Sequence, residues 1–190
     1  MNNDKVNLAY IIGVAIGDGN LSNPNGRAVR LRVTCDFKYP NIIERISSSI
    51  HTLLPTNKVS MIKRAATYCD ISCYSNKWEK YLGWKAKNGS KFKQNVSIPR
   101  WIIQDKQYYP ACLRGLLETD GSIYLDRGYK MVNFVSNIPN IVKDVMKMFH
   151  AIGFHPKCYK IKSTKYPDRF TVRLSKDVEK FINTINFKKN

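Results

Sequence analysis

Two aspartates offer the chemistry that this sequence supports best. Asp18 stands in Gly17-Asp18-Gly19 and Asp120 in Thr119-Asp120-Gly121, each at the end of a largely apolar run. Glycine just after such a run reads as a helix terminator, which places each carboxylate in a last helical turn, where the macrodipole disfavours negative charge. If the two helices run side by side, the carboxylates also repel one another. A divalent cation resolves both conflicts, because carboxylates and the unpaired main-chain carbonyls of Gly17 and Thr119 are hard oxygen ligands of the kind magnesium or manganese takes. One copy alone would be read as a helix-ending turn. Two copies in register are a stronger signal.

The elements that must position them come from a duplication. Leu8 to Asn20 returns as Pro110 to Ser122, 102 positions later, and Pro40-Asn41-Ile42-Ile43 returns as Pro139-Asn140-Ile141-Val142, 99 positions later. At that second offset Ile43, Ile46, Ile50 and Leu53 answer to Val142, Val145, Phe149 and Ile152, the spacing of an amphipathic helix. Ser75, Glu79, Lys80 and Tyr81 answer to Ser175, Glu179, Lys180 and Phe181. Between the helices lie runs of period two: Val29, Leu31, Val33 and Cys35 alternate with Arg30, Arg32 and Thr34, and Phe170, Val172 and Leu174 with Arg169, Thr171 and Arg173. Shorter strand candidates are Met61 to Arg64, Tyr68 to Tyr74, Ile123 to Leu125, Tyr129 to Val135 and Cys158 to Lys162. Each repeat therefore reads as αββαββα, an α+β pattern. The first repeat spans 1–84 and the second 106–190; between them, 85–105 is a basic linker ending in a short helix opened by Pro99. On the first helix of each repeat, Ala9, Gly13 and Gly17, and then Ala111, Gly115 and Thr119, form stripes of small residues at fourfold spacing. Two such stripes let helix backbones approach closely and bring Asp18 and Asp120 together.

Bulk properties narrow the partner. The 190 residues carry 32 lysines and arginines against 14 aspartates and glutamates, a formal net charge of +18, with 43% hydrophobic residues. That combination describes a folded protein with a strong field for polyanions, and nucleic acid is the partner such fields usually serve. No stretch approaches the ~20 apolar residues of a membrane span. Five cysteines, an odd number without a Cys-x-x-Cys pair, indicate neither a disulfide framework nor a zinc cluster. They read as reduced thiols of an intracellular protein that resides wherever its nucleic acid lies and is not secreted. The three histidines, His51, His150 and His155, form no His-Asn-His or His-Cys nuclease arrangement.

The run Leu113-Arg114-Gly115-Leu116-Leu117-Glu118-Thr119-Asp120-Gly121-Ser122, with its looser partner Leu8 to Gly19, resembles the motif of the LAGLIDADG homing endonucleases, specifically the compact single-chain members with two motif copies. The resemblance implies two pseudo-symmetric αββαββα repeats, motif helices packed at the centre and two antiparallel sheets forming a DNA-binding saddle. It implies a monomer that hydrolyses one phosphodiester in each strand of a long double-stranded DNA site, leaving short 3′ overhangs, with Mg2+ (or Mn2+) held by Asp18 and Asp120 and the carbonyls of Gly17 and Thr119. A lysine of the segment between repeats reaches the active site in this family, and Lys91 is the match here, with a second-repeat counterpart near Lys188 or Lys189. Some members carry a glutamine on the first-repeat strand; Cys35 and Asp36 stand there in this chain. Contacts to DNA are expected from the wet strand faces: Arg30, Arg32, Lys63, Arg64, Tyr124, Lys130, Lys160, Lys162 and Arg173. Relatives acting as intron RNA maturases, and a regulator that binds DNA without cutting, are the alternatives on the same fold.

Overall fold

The computed structural model describes residues 3–188. In chain order the elements are α1 Asn3–Gly17, β1 Gly19–Ser22, β2 Arg30–Asp36, α2 Pro40–Leu53, β3 Val59–Lys63, β4 Tyr68–Tyr74, α3 Trp78–Leu82, α4 Arg100–Ile103, α5 Tyr109–Asp120, β5 Gly121–Asp126, β6 Tyr129–Ser136, α6 Pro139–Ala151, β7 Lys157–Ile161, β8 Arg169–Leu174 and α7 Val178–Thr184. The α+β reading with two equivalent repeats holds. Each repeat builds one four-stranded antiparallel sheet, in the orders β1-β2-β4-β3 and β5-β6-β8-β7.

The two sheets turn one face to the helices. In the first, Leu31, Val33 and Cys35 point inward opposite Cys73, Ile71 and Cys69; in the second, Val132 and Phe134 do so opposite Leu174 and Val172. Helices α2 and α6 bury Ile42, Ile43, Ile46 and Ile50, and Ile141, Val142, Val145 and Phe149, against these faces. Each such helix begins with proline, which brings a preset φ and loses no hydrogen bond in the first turn.

Helix α1 differs in kind: every residue from Ala9 to Ile16 is buried. A helix apolar on all sides belongs in a core, and here its partner is α5. A Cβ on Gly13 would lie 2.2 Å from the Cys112 carbonyl oxygen, and one on Gly115 would lie 2.3 Å from that of Tyr10. The two backbones thus touch through the glycines of each stripe, as the spacing predicts.

One expected reason needs correction. Gly19 and Gly121 do not end their helices in the left-handed conformation; Gly121 has φ −93° and ψ 157°, and neither glycine has a positive φ. They open β1 and β5, folding each strand back along its own helix. A Cβ there would lie 2.4 Å from Ala15 Cα or 2.5 Å from the Leu117 carbonyl oxygen. The aspartates still stand at the helix ends, but sterics rather than αL geometry select the glycines after them. The strand Gly19–Ser22 itself lies outside the strand candidates read from the sequence; at four residues it is too short to show a period.

The segment between repeats is also more ordered than a linker. Gln94 closes it as a loop: its Oε1 accepts from the Lys85 amide at 2.9 Å and its Nε2 donates to the carbonyls of Lys85 and Gly89 at 2.8 and 2.9 Å. Val96 and Ile98 are buried, and the Ile98 amide donates to Asp144 Oδ2 at 2.9 Å. The five cysteines are free thiols, four buried and Cys158 exposed. No described helix is long and apolar enough to cross a membrane.

Candidate active site at the paired helix ends

The packing of α1 on α5 decides where the carboxylates go. A Cβ on Gly17 would lie 2.0 Å from Thr119 Oγ1 and 3.4 Å from the Asp120 carboxyl carbon. The end of one helix therefore abuts the carboxylate of the other. Two clefts open there with crossed composition. One, about 520 Å³, is lined by Gly17, Asp120, Lys91, Val135 and Arg169 among others. The other, about 170 Å³, is lined by Asp18, Thr119, Thr34, Cys35, Asp36 and Glu118 among others. Each takes an aspartate from one repeat and the residue before the aspartate from the other, so neither repeat can build a cleft alone.

Lys91 reaches the site. The loop closed by Gln94 projects it across the end of α1, where its ammonium donates to the carbonyl of Ala15 at 3.1 Å and to those of Ile16 and Gly17. These last-turn carbonyls lack helical partners, and a cation there also suits the dipole. Burial pushes the Lys91 pKa down, while the charges of Asp120 and Asp18 push it back up. Lys188 is exposed and does not line the cleft holding Asp18; Lys189 lies outside the described residues. The two clefts are thus chemically unequal: one has Lys91 and Arg169, and the other has Cys35 and Asp36. Burial, then the charges of Cys69, Asp18 and Asp70, push the Cys35 thiol up to about 12.

The donors offered to a magnesium-type ion are the carboxylates of Asp18 and Asp120 and the carbonyls of Gly17 and Thr119, and an ion on the Gly17 carbonyl would displace the Lys91 ammonium that bonds it here. Among the described residues there is no group of three or more His, Cys, Asp or Glu side chains able to hold a metal, which argues against a fully protein-built cage. Magnesium is commonly held by one or two carboxylates, with water and substrate phosphate completing the shell.

Beside the Asp18 cleft lies a buried network that sequence reasoning missed. Glu118, 3% exposed, accepts from Tyr10 Oη at 2.7 Å and is ion-paired to Arg45; Arg114 lies over the Tyr10 ring at 5.1 Å. Burial, then the Glu118 charge, push the Tyr10 hydroxyl pKa far up. Glu118 and Arg114 come from the second repeat, Tyr10 and Arg45 from the first. The counterpart of Glu118 at the 102-residue offset is Ile16, so the network has no twin. The available signal was a pair of opposite charges four residues apart, Arg114 and Glu118, inside a largely apolar helix.

Register sorts the expected strand contacts. The faces turned away from the helices carry Arg30, Arg32, Thr34, Asp70 and Tyr74 in the first sheet, and Tyr124, Asn133, Thr171 and Arg173 in the second. Arg64, just past β3, bonds the Tyr68 carbonyl through its amide. Lys63, Lys130 and Lys160 are corrections. They pair with Cys69, Leu125 and Phe170 and so share the helix-facing parity. Lys63 lies over Phe37, Lys130 is ion-paired to Glu179 of α7, and Lys160 bonds Asp168 at 2.8 Å over the Phe170 ring. Lys162 is exposed just past the end of β7. The outer face of the second sheet also carries Lys157, Tyr159 and Arg169.

Comparison with known proteins agrees with this geometry. Residues 107–186 match the family model of the LAGLIDADG-like domain, and residues 7–69 that of the WhiA LAGLIDADG-like domain. Among solved structures, mesophilic variants of the homing endonuclease I-DmoI superpose with a TM-score of 0.69 at 18% identity, covering 100% of this chain and 100% of theirs. I-DmoI in complex with DNA and manganese gives 0.68 at 20% identity, over 96% of this chain and 97% of that one. Full-length WhiA from Thermatoga maritima gives 0.67 at 14% identity, over 100% of this chain and 58% of that one. DNA polymerases of Thermococcus hydrothermalis and Thermococcus sp. (strain GE8) are 26% identical over 152 and 150 residues, 78% of this chain in each case, and the chain spans only 9% and 8% of their length. With a LAGLIDADG-like domain in each half, and the fold of a compact two-motif protein over its whole length, the chain belongs to the LAGLIDADG family.

Proposed function

We propose that the protein is a site-specific endonuclease that hydrolyses one phosphodiester in each strand of double-stranded DNA. The observation that carries this reading is the crossed pair of clefts, each joining an acidic residue of one repeat to the helix end of the other, between two sheets whose outer faces bear arginines. Asp18 with Thr119, and Asp120 with Gly17, are the residues that would hold magnesium or manganese. When bound, the ion supplies positive charge to the attacking and departing oxygens of the phosphodiester. The outer strand faces hold the duplex by phosphate and base-edge contacts. Lys91 lines the cleft of Asp120 and, on leaving one of the carbonyls it caps, would offer its ammonium to negative charge developing on the phosphate. Glu118 and its partners hold the two repeats in one relative position.

The test is a library of duplexes randomised over a long site, incubated with the protein and magnesium, with the cut molecules sequenced. A single family of long asymmetric sites is the expected product, and an uncut library would overturn the endonuclease reading. A second reading, a DNA-binding protein without cleavage, draws support from the match of residues 7–69 to the WhiA-type model; selection of bound but uncut duplexes would favour it.

Lys91→Ala separates the clefts. Only the cleft of Asp120 contains Lys91, so its loss should slow one strand's cleavage about 10²-fold, the low end for a positioned proton-transfer or charged group. Nicked plasmid should accumulate while target affinity stays nearly unchanged. Equal slowing of both strands, or a matching loss of affinity, would reassign Lys91 to phosphate anchoring.

A further inference from the structure

The outer face of the first sheet holds an acid that cleavage does not use. Asp70, on β4, is 4% exposed although it faces away from the helices, opposite Thr34 on β2 and Ile62 on β3. Its Oδ1 accepts from Thr34 Oγ1 at 2.8 Å. Its Oδ2 accepts from Arg64 Nε at 2.6 Å and lies 3.9 Å from Arg32 Nη1. Burying a carboxylate is costly unless its oxygens are paired, and here the partners come from β2 and from the chain just past β3. Burial pushes the Asp70 pKa up, but the hydrogen bonds from Arg64 and Thr34 and the charges of both arginines outweigh it and hold the carboxyl below its ordinary range.

Arg64 is anchored to Asp70 by a hydrogen bond, Arg32 by a longer ion pair at 3.9 Å, and both keep an open edge. Their side chains are 37% and 41% exposed, against 5% for Asp70. Arg64 is engaged through Nε, so its terminal nitrogens are not used in this bond. A guanidinium fork matches guanine O6 and N7, and a side chain already held in place loses less entropy on contact. Phosphate attraction alone does not account for the arrangement, because an acid beneath the arginines weakens the pull on phosphate. The second sheet has no acid at the equivalent position; its outer-face Arg173 is paired instead to Asp126 at the end of β5, whose side chain is 40% exposed. Its Phe134–Val172 pair matches Val33–Ile71, so Asp70 corresponds to Thr171, Thr34 to Val135 and Arg32 to Asn133.

We propose that Asp70 is a specificity-determining positioning residue, orienting Arg32 and Arg64 to read guanine edges in the half of the target that lies against the first sheet. The inference rests on the reading of the protein as a binder of specific duplex DNA.

The experiment selects bound duplexes, without divalent cation, from a library randomised over both half-sites, using wild type, Asp70→Asn and Arg64→Lys, with thermal melting as the folding control. Wild type should select guanines in one half-site. Asp70→Asn should weaken that preference about tenfold per position, within the range for a bidentate base contact, and leave the other half-site unchanged. Its affinity for bulk DNA should hold or rise, since a negative charge is gone. Arg64→Lys keeps the charge but not the fork, so it should lose guanine preference in that half-site alone; if Asp70→Asn does not fold, Asp70→Glu, which keeps the charge but moves the carboxylate, replaces it and should relax the same preference. Variants that select the wild-type profile, or that relax both half-sites equally, would overturn the role of Asp70 alone. A wild type that selects no duplex at all would overturn the DNA-binding reading and this inference with it.

Discussion

Asp18→Asn and Asp120→Asn should each fold, bind the target duplex at least as tightly as wild type, and cut it about 10³-fold more slowly or worse, a loss of roughly 4 kcal/mol of transition-state stabilisation. Asparagine keeps the size of the side chain and tolerates a helix end, so the packing of α1 on α5 should survive. What it removes is the negative charge that holds a divalent cation beside the Gly17 or Thr119 carbonyl. Removing a carboxylate from beside phosphates also relieves repulsion, which is why affinity should not fall. The crossed clefts sharpen the expectation: each variant damages one cleft directly, so nicked product should precede linear product, and the double variant should do neither. Plasmid relaxation assays in magnesium, with binding measured in calcium, read both quantities. Wild-type cutting of both strands by either single variant would remove the metal-site assignment.

Gly13→Ala and Gly115→Ala should be severely destabilising, against the ordinary preference of helices for alanine. In an exposed helix the exchange gains about 1 kcal/mol. Here the new methyl would lie 2.2 Å from the Cys112 oxygen, or 2.3 Å from that of Tyr10. Both obstacles are backbone, so no rotamer change relieves them and the two central helices must separate. Overpacking of this kind costs about 3 kcal/mol or more, which for a chain of this length corresponds to a melting temperature lower by roughly 6–12 °C. Separation also spreads Asp18 from Asp120, so cleavage should fall even in the fraction that remains folded. Thermal melting followed by circular dichroism is the check; an unchanged or higher melting temperature would mean that the helices do not pack through these glycines.

Much of the molecule is written in local pattern. The positions of α1, α5, α2 and α6, the small-residue stripes, and the inward parity of Val29, Leu31, Val33 and Cys35 follow from periodicities of 3.6 and 2 that any chain must obey. The same parity assigns Lys130 to the helix side, because it alternates in step with Val132 and Phe134. Its charge argued for the wet face, yet a lysine at the end of a strand satisfies inward parity by reaching Glu179 at the rim. For Lys63 the run itself is silent: β3 has no buried residue to set its phase, and only pairing with Cys69 does so.

The sequence by itself determined that the chain is a duplicated α+β protein with one aspartate at the end of each small-striped helix, because those features are local and repeated. Tertiary structure alone decided which residues share a cleft. The crossing of Asp18 with Thr119 and Asp120 with Gly17, the reach of Lys91 over the end of α1, the Glu118 network and the anchoring of Arg32 and Arg64 by Asp70 each join atoms distant along the chain or on different strands. No periodicity encodes them, since they depend on how closely two helix backbones approach and on the register in which strands pair.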